Sequence, residues 1–296
     1  AMSVGYVPEF FGKFKKQLFS TIQFPVPNKY RIPKGFSFSD YQNDCLDKIE
    51  KRLSKQDNIA AFIMESGAQM AGGVIIYPKG FQKKISNLCK KYGVLFVLDE
   101  IATGFGRLGS MTQYQEQKSI PDIVAYGKML TGGYLTMAAT LANKKIYDSF
   151  SGEFNEWRHL FHGHTYTGNP LAASVANENF NMYQKNNLIK KIQSTSKVFT
   201  DYYQKLSEID IVGDIRHKGM LMGIELVSDK NKKTPIRTKK SINKVFFEEG
   251  KKHGIYFRTL GNIVMLVPPL AITEKELNLL LDRTIKTIEA VRIQII

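Results

Sequence analysis

The sequence predicts an α/β protein in which a mostly parallel sheet is followed by a smaller α+β domain. Two apolar runs, 59–65 and 94–98, flank an amphipathic stretch over 78–92, which is the order strand, helix, strand. Short continuous apolar runs are typical of strands that are buried on both faces of a parallel sheet. From about residue 187 the pattern changes to strands in close succession between helices. We therefore predict a large domain over 1–186 and a small domain over 187–296.

The composition excludes several classes of protein. The 296 residues are 43% hydrophobic and 23% charged, which suits two folded domains and argues against disorder. No apolar run approaches the roughly 20 residues that a membrane-spanning helix needs. Two cysteines without metal-like spacing exclude a disulfide framework and fit a reducing compartment. With no basic-then-apolar leader visible, we expect a cytoplasmic protein.

The formal net charge of +15 raises the question of a nucleic-acid partner. The basic residues are mostly lysines, however, and they occur one or two at a time on the polar sides of predicted helices. This pattern favours solvated helix faces, so we expect neither a nucleic-acid nor a membrane partner.

The other elements follow from spacing and capping residues. Asn169 and Pro170 form a helix start, and Thr273 with Glu276 matches a capping box. The predicted helices cover 44–54, 78–92, 170–183, 188–206, 240–253 and 273–293, and the predicted strands cover 59–65, 94–98, 123–126, 137–141, 211–216, 220–226, 255–257 and 263–267.

Asp99 and Lys128 are the strongest candidates for chemistry. Asp99 follows the strand 94–98, and Lys128 comes two residues after the strand 123–126. Taken singly, a strand-end aspartate is often a cap, and such a lysine is usually solvated. Because the carboxyl ends of parallel strands meet at one edge, both side chains can enter one crevice. A lysine beside a carboxylate suits a cofactor that binds covalently to an amine.

Two further motifs allow more than one interpretation. Residues 104–109 read G-x-G-x-x-G, but they do not lie directly between a strand and a helix, so a flexible active-site loop is favoured over a dinucleotide site. His159, His162 and His164 form a cluster that is compatible with a metal site. No carboxylate or cysteine stands at ligand spacing, and the polar loop 162–169 before a helix start also suits a phosphate.

The chain resembles the class III pyridoxal-phosphate aminotransferases over essentially its whole length. The resemblance implies the type I fold of pyridoxal-phosphate enzymes, pyridoxal 5′-phosphate as cofactor, small-molecule substrates and a homodimer with shared active sites. It rests on the segments 99–109, 121–123, 127–133, 65–73, 162–172, 256–258 and 268–269.

Within the family, the Ile101-Ala102-Thr103 step resembles the branch that acts in biotin biosynthesis. That branch converts 8-amino-7-oxononanoate into 7,8-diaminononanoate, with S-adenosylmethionine expected as the amino donor. Three alternatives stay open: a class III aminotransferase for another ω-amine or amino acid, a non-catalytic fragment of such an enzyme, and a nucleotide-dependent oxidoreductase.

The resemblance assigns cofactor contacts residue by residue. Lys128 matches the lysine that binds the cofactor, and Asp99 matches the carboxylate at the pyridine nitrogen. Ile101 matches the apolar residue packed on the ring, and Thr165 matches the threonine that reaches the phosphate in the neighbouring subunit. Glu65 matches an active-site glutamate near the cofactor.

The resemblance also assigns substrate contacts and one departure from the family. Arg258 matches the arginine that binds the substrate carboxylate, and Gly163 is assigned to the substrate. Family members usually have proline after the glutamate at Glu65, where this chain has Ser66. The phosphate-binding turn and the ring-stacking aromatic residue of the family match positions before Ala1, so we expect about the first third of a family member to be absent from this sequence.

Overall fold

The structure, a computed structural model, describes residues 1–55, 58–236 and 241–295. Its first part alternates helices and strands, as the sequence predicts. The helices are α1 (Pro8–Phe11), α2 (Phe38–Leu53), α3 (Phe81–Tyr92), α4 (Gln113–Glu116), α5 (Lys144–Ser149) and α6 (Pro170–Lys185). The strands are β1 (Ala61–Glu65), β2 (Ala68–Gln69), β3 (Ile75–Ile76), β4 (Leu95–Asp99), β5 (Ile123–Tyr126) and β6 (Ala139–Ala142).

The central sheet has the strand order β1-β4-β5-β6, and its first three strands are parallel. β6 is antiparallel to β5 and forms one edge. The crossover helix α3 ends at Gly93, whose left-handed φ of +68° is tolerated because glycine has no Cβ. Its buried face, which includes Phe81, Ile85 and Cys89, packs into the core of this part. The predicted strand–helix–strand unit is confirmed.

The C-terminal part is built on an antiparallel sheet of order β10-β11-β8-β7, with β9 beside β8. Its strands are β7 (Val212–Lys218), β8 (Leu221–Asp229), β9 (Thr234–Pro235), β10 (Arg258–Leu260) and β11 (Ile263–Leu266). Its helices are α7 (Leu188–Thr195), α8 (Val198–Asp201), α9 (Tyr203–Glu208), α10 (Ile242–Lys252) and α11 (Glu274–Ile295). The capping box at the start of α11 is present, since Thr273 and Glu276 each accept a hydrogen bond from the other's backbone N–H.

Three predicted elements differ from the structure. The helix predicted over 44–54 begins at Phe38, because Ser37 and Asp40 form a capping box upstream. The helix predicted over 188–206 is divided into α7, α8 and α9. Hydrogen bonds of the i→i+3 type replace the helical pattern at the breaks, and the Ser196 hydroxyl donates to the Gln193 carbonyl there.

The third difference is the strand predicted over 255–257, and this prediction is wrong. The Ile255 N–H donates to the Gly250 carbonyl, and sheet pairing starts only at Arg258. The predicted start of the next helix upstream, residue 240, lies outside the described residues.

Two large hydrophobic cores lie on either side of residue 187. One surrounds the parallel sheet and is formed by residues up to Tyr183, and the other surrounds the antiparallel sheet and begins at Ile192. Leu188 and Ile189 contact both cores, so the two parts are packed together. The boundary between domains at 186 and 187 stays a prediction that these cores support. No helix in the described ranges is long and apolar enough to cross a membrane.

Candidate active site

The carboxyl edge of the parallel sheet carries three charged side chains. Glu65 ends β1 and pairs in register with Asp99, the last residue of β4. Asp99 pairs in turn with Ala125 of β5, and Lys128 is the second residue after the end of that strand. The edge therefore brings together Glu65, Asp99 and Lys128, as expected for parallel strands that end together.

Asp99 keeps one carboxylate oxygen available. Its Oδ1 accepts a hydrogen bond of 2.8 Å from the Ile101 N–H, which fixes the orientation of the half-buried carboxylate. Among the described residues, no donor reaches Oδ2. The neighbouring Glu100 is fully buried and accepts from the N–H groups of Gln113 and Tyr114, so it caps α4 and does not face the site. Asp99 is thus the carboxylate that can accept a hydrogen bond from a bound group.

Lys128 has an unusual backbone and an exposed amine. Its φ of +43° lies in the left-handed region, where a residue with a Cβ is strained, and such strain is common at functional sites. The turn is held by Asn179, whose side-chain amide donates to the carbonyls of Met129 and Leu130. In the described part of the chain, the Lys128 amine has no hydrogen bond or ion pair. It is therefore free to react.

Ile101 lies against the glycine that precedes the lysine. A Cβ on Gly127 would come within 3.2 Å of the Ile101 side chain, so glycine allows the two segments to approach. This contact places an apolar side chain beside Lys128, where the resemblance implied one.

Glu65 differs from Asp99 in its electrostatics. The half-buried carboxylate accepts a long hydrogen bond of 3.4 Å from the Ala71 N–H. Burial, followed by the neighbouring Asp99 charge, raises the pKa of Glu65 to about 7. At neutral pH this carboxyl group is therefore part protonated.

The glycine motif 104–109 is not a flexible loop, in contrast to the expectation from the sequence. Residues 103–108 are buried between the two parts of the molecule. The Arg107 guanidinium donates to the carbonyls of Met220 and Pro268 at 2.8 and 2.7 Å, and burial lowers its pKa to about 10. The motif therefore joins the parallel sheet to the C-terminal part. No helix begins directly at its end, as a dinucleotide site would require, since α4 starts only at Gln113.

Neither Arg107 nor its neighbour Gly219 is among the residues that the sequence predicts to be functional. An arginine inside a run of glycine and apolar residues was the signal for a buried, hydrogen-bonded charge. Gly219 lies so close to the motif that a Cβ would come within 2.5 Å of the Gly109 nitrogen.

Gly219→Ala should destabilise the protein more than Gly261→Ala. The two glycines have nearly equal φ values, +58° and +56°, so that an alanine is strained to the same degree at both. Only the Cβ at Gly219 meets backbone atoms, whereas nothing lies within 4 Å at Gly261. We expect the free energy of unfolding, measured by denaturant titration, to fall by roughly 1–3 kcal/mol more for Gly219→Ala. Equal losses of stability in the two variants would mean that the contact between Gly219 and the 104–109 motif adjusts to the added methyl group.

Thr165 and Gly163 make no contact with Lys128 among the described residues. Both lie in an exposed loop, where the Thr167 hydroxyl accepts from the His164 N–H. The loop ends at Asn169, which caps α6 as predicted by accepting from the N–H groups of Leu171 and Ala172. The histidines of this loop are exposed, and no group of three metal-ligating side chains occurs among the described residues.

Arg258 opens β10 on the antiparallel sheet. Its guanidinium is exposed and has no hydrogen bond or ion pair with a described residue. It lines a groove of about 670 Å³. The lining combines four apolar side chains with four polar ones: Phe10, Ile236, Ile242, Leu260, Ser241, Asn243, Thr259 and Asn262. The strand partner of Arg258, Met265, packs on the small core that contains Ala102, one residue from Ile101. Arg258 therefore lies in a groove that is lined by both apolar and polar side chains.

The residues at the sheet edge fit pyridoxal 5′-phosphate. An unpaired lysine amine can bind an aldehyde, and the open Oδ2 of Asp99 can accept from a protonated ring nitrogen. Ile101 offers an apolar surface next to Gly127, the residue before the lysine. Lys128, Asp99 and Ile101 would thus hold the reactive part of the cofactor.

Comparisons with known proteins show the family of this chain. The sequence profile of the family described as aminotransferase class-III matches residues 1–288. An adenosylmethionine-8-amino-7-oxononanoate aminotransferase of Methanocaldococcus jannaschii is 41% identical over 301 residues, and one of Aquifex aeolicus is 40% identical over 283 residues. The alignments cover 98% and 95% of this chain, which spans only 65% and 62% of the relatives' lengths.

A solved structure gives the same result. The crystal structure of the Methanocaldococcus jannaschii protein superposes with a TM-score of 0.88 at 40% identity, covering 98% of this chain and 64% of that one.

Proposed function

The chain belongs to the class-III aminotransferases, and on this premise we propose that it transfers an amino group to 8-amino-7-oxononanoate, giving 7,8-diaminononanoate for biotin biosynthesis. The family has the type I fold and uses pyridoxal 5′-phosphate, as the resemblance of the sequence implied. The observation that carries the proposal is the placement of Lys128 and Asp99 at one sheet edge. S-adenosylmethionine is the amino donor that we propose, following the names of the relatives.

Each side chain of the site has a separate task. When bound, the cofactor supplies an electron-withdrawing ring that makes the carbon bearing the amino group more acidic. Asp99, ionised, accepts a hydrogen bond at Oδ2 and keeps the ring nitrogen protonated. The Lys128 amine would accept the proton from the donor carbon as general base and deliver it, as general acid, to the cofactor carbon that keeps the amino group. In the second half-reaction it would move a proton in the opposite direction, onto the acceptor carbon. The kinetics should be ping-pong, since donor product leaves before acceptor binds.

Substrate and partner contacts complete the proposal. Arg258 binds the terminal carboxylate of the acceptor, and the apolar side chains of the groove beside it can contact an aliphatic chain. Gly163 contacts substrate, and Thr165 binds cofactor phosphate from the neighbouring subunit of a homodimer. The exposure of their loop supports this arrangement, because a side chain that serves a second subunit must point outward.

The exposed aromatic residues upstream of that loop support the homodimer. Four exposed rings each have a centroid about 4–6 Å from that of at least two others: Phe154, Trp157, His159 and Phe161. An exposed apolar cluster of this kind is typical of an interface. We also propose a cytoplasmic site of action, which the free, buried thiols of Cys45 and Cys89 support.

Arg258→Ala should raise the KM for 8-amino-7-oxononanoate while the amino-donor half-reaction changes less. A charge-assisted hydrogen bond to a carboxylate contributes about 1.5–3 kcal/mol, so we expect the KM to rise roughly 10- to 150-fold. Stopped-flow measurement of each half-reaction separates the two effects. Arg292→Ala serves as the control, because it removes an arginine of α11 that is paired with Asp210. If the KM for 8-amino-7-oxononanoate were equal in both variants, Arg258 would not bind the substrate.

The proposed function is tested with protein expressed from the complete gene and supplied with pyridoxal 5′-phosphate. We expect 7,8-diaminononanoate to form from 8-amino-7-oxononanoate with S-adenosylmethionine or lysine as donor. If the protein turned over other ω-amines or amino acids but not this ketone, it would belong to another branch of the family. If the protein bound no pyridoxal 5′-phosphate, the proposal that it is an active aminotransferase would be wrong.

A further inference from the structure

Glu65 is the second carboxyl group at the reactive edge, and its position is set by the sheet. Its Cα pairs directly with that of Asp99 across the parallel strands β1 and β4. Paired residues on neighbouring strands project to the same face, so the two carboxyl groups are neighbours. Ser66 strengthens the pairing, because its N–H donates to the Asp99 carbonyl at 2.9 Å.

Every element around Glu65 presents a group to it. β4 presents Asp99, and the turn after β5 presents Lys128. The segment between β2 and β3 presents the N–H groups of Met70 and Ala71, and the residue after β3 is the buried Tyr77. Burial and the Asp99 charge favour the neutral acid, whereas the N–H groups and Lys128 favour the carboxylate.

The mechanism proposed above needs Asp99 ionised. If Glu65 were ionised as well, two negative charges would lie side by side. Like charges on adjacent carboxyl groups are unfavourable, and one of the pair then keeps a proton. Asp99 accepts from the Ile101 N–H at 2.8 Å, whereas the bond from Ala71 to Glu65 is longer, at 3.4 Å. The shorter hydrogen bond therefore favours the negative charge on Asp99, and the greater effect of burial and of the Asp99 charge favours the proton on Glu65.

We propose that Glu65 is a positioning residue that holds a proton beside Asp99, so that the site contains one carboxylate and not two while Lys128 exchanges protons with the substrate. The inference rests on the proposed function for its consequence but not for the protonation itself. When Glu65 loses its proton, a second negative charge stabilises the ammonium form of Lys128. That form cannot accept a proton, so turnover falls as Glu65 ionises.

The protonation is measured without cofactor by infrared spectroscopy. A carboxylic-acid C=O band should disappear between about pH 6 and about pH 8 in the wild-type protein, since a Glu65 pKa near 7 lies between them. Glu65→Gln should lack this band, whereas Glu289→Gln, an exposed control on α11, should keep it. A difference spectrum that is the same in Glu65→Gln and wild type would overturn the proposal.

Two neighbouring substitutions test whether Asp99 and Lys128 act on that proton. Asp99→Asn removes the negative neighbour and should move the midpoint of the band to lower pH. Lys128→Ala removes the positive neighbour and should move it to higher pH. Because burial is the larger cause, the midpoint in Asp99→Asn should still lie above the usual glutamate range. Midpoints that do not move in either variant would overturn the coupling.

Activity supplies the last comparison. In protein expressed from the complete gene, the alkaline fall in kcat that follows the infrared midpoint should vanish in Glu65→Gln. If the alkaline limb persists unchanged in that variant, Glu65 does not act through Lys128. If the wild type shows the infrared band but no transamination, the proposed function fails while the protonated carboxyl group stands.

Discussion

Lys128→Ala should abolish transamination in protein expressed from the complete gene. The substitution removes the only described amine at the sheet edge beside Asp99, and with it the group that binds the cofactor and moves the proton. General acid–base catalysis alone contributes roughly 10²- to 10⁴-fold, so we expect a loss of at least that size. The absorbance band of lysine-bound cofactor should vanish as well, although the cofactor can still bind through phosphate contacts.

Lys286→Ala is the matched control for this variant, because Lys286 is an exposed lysine on α11. It should retain wild-type turnover and the absorbance band. Thermal unfolding of both variants shows whether either substitution affects folding. If Lys128→Ala kept substantial activity with a normal spectrum, another amine would have to bind the cofactor, and the assignment of Lys128 would be wrong.

Asp99→Asn should retain bound cofactor and lose most of the turnover. Asparagine has the shape of aspartate, and its Oδ1 can still accept from the Ile101 N–H. It carries no charge to keep the ring nitrogen protonated. A hydrogen bond to a charged group contributes about 1.5–3 kcal/mol, which corresponds to a roughly 10- to 150-fold slower reaction if the whole contribution arises in the transition state.

Both half-reactions should slow together in Asp99→Asn, because each of them needs the ring nitrogen protonated. This separates the variant from Arg258→Ala, in which the acceptor half-reaction should change more. Asp47→Asn, at an exposed position of α2, controls for the loss of one negative charge. A rate near that of wild type, with cofactor bound, would remove Asp99 from the mechanism.

Much of the parallel sheet could be predicted because its signals are local. The apolar runs at β1, β4 and β5, and Gly93 after α3, each lie within a few residues of the element that they specify. The same holds for Asp99 and Lys128, since a position at a strand end follows from the strand itself. The interruptions after α7 could not be predicted, because the apolar spacing over 188–206 continues through the breaks.

The sequence by itself determined the strand order of the βαβ unit, the capped helices α6 and α11, and the two residues that we propose for the chemistry. Only the tertiary structure decided that the 104–109 motif is buried between the two cores, because Arg107 bonds to carbonyls more than 100 residues away. It likewise decided the state of Glu65, whose pKa depends on burial and on the charges of Asp99 on β4 and of Lys128 after β5. Periodicity and capping act over single turns and strands, whereas burial and electrostatic interactions depend on distance in space, which the order of residues does not contain.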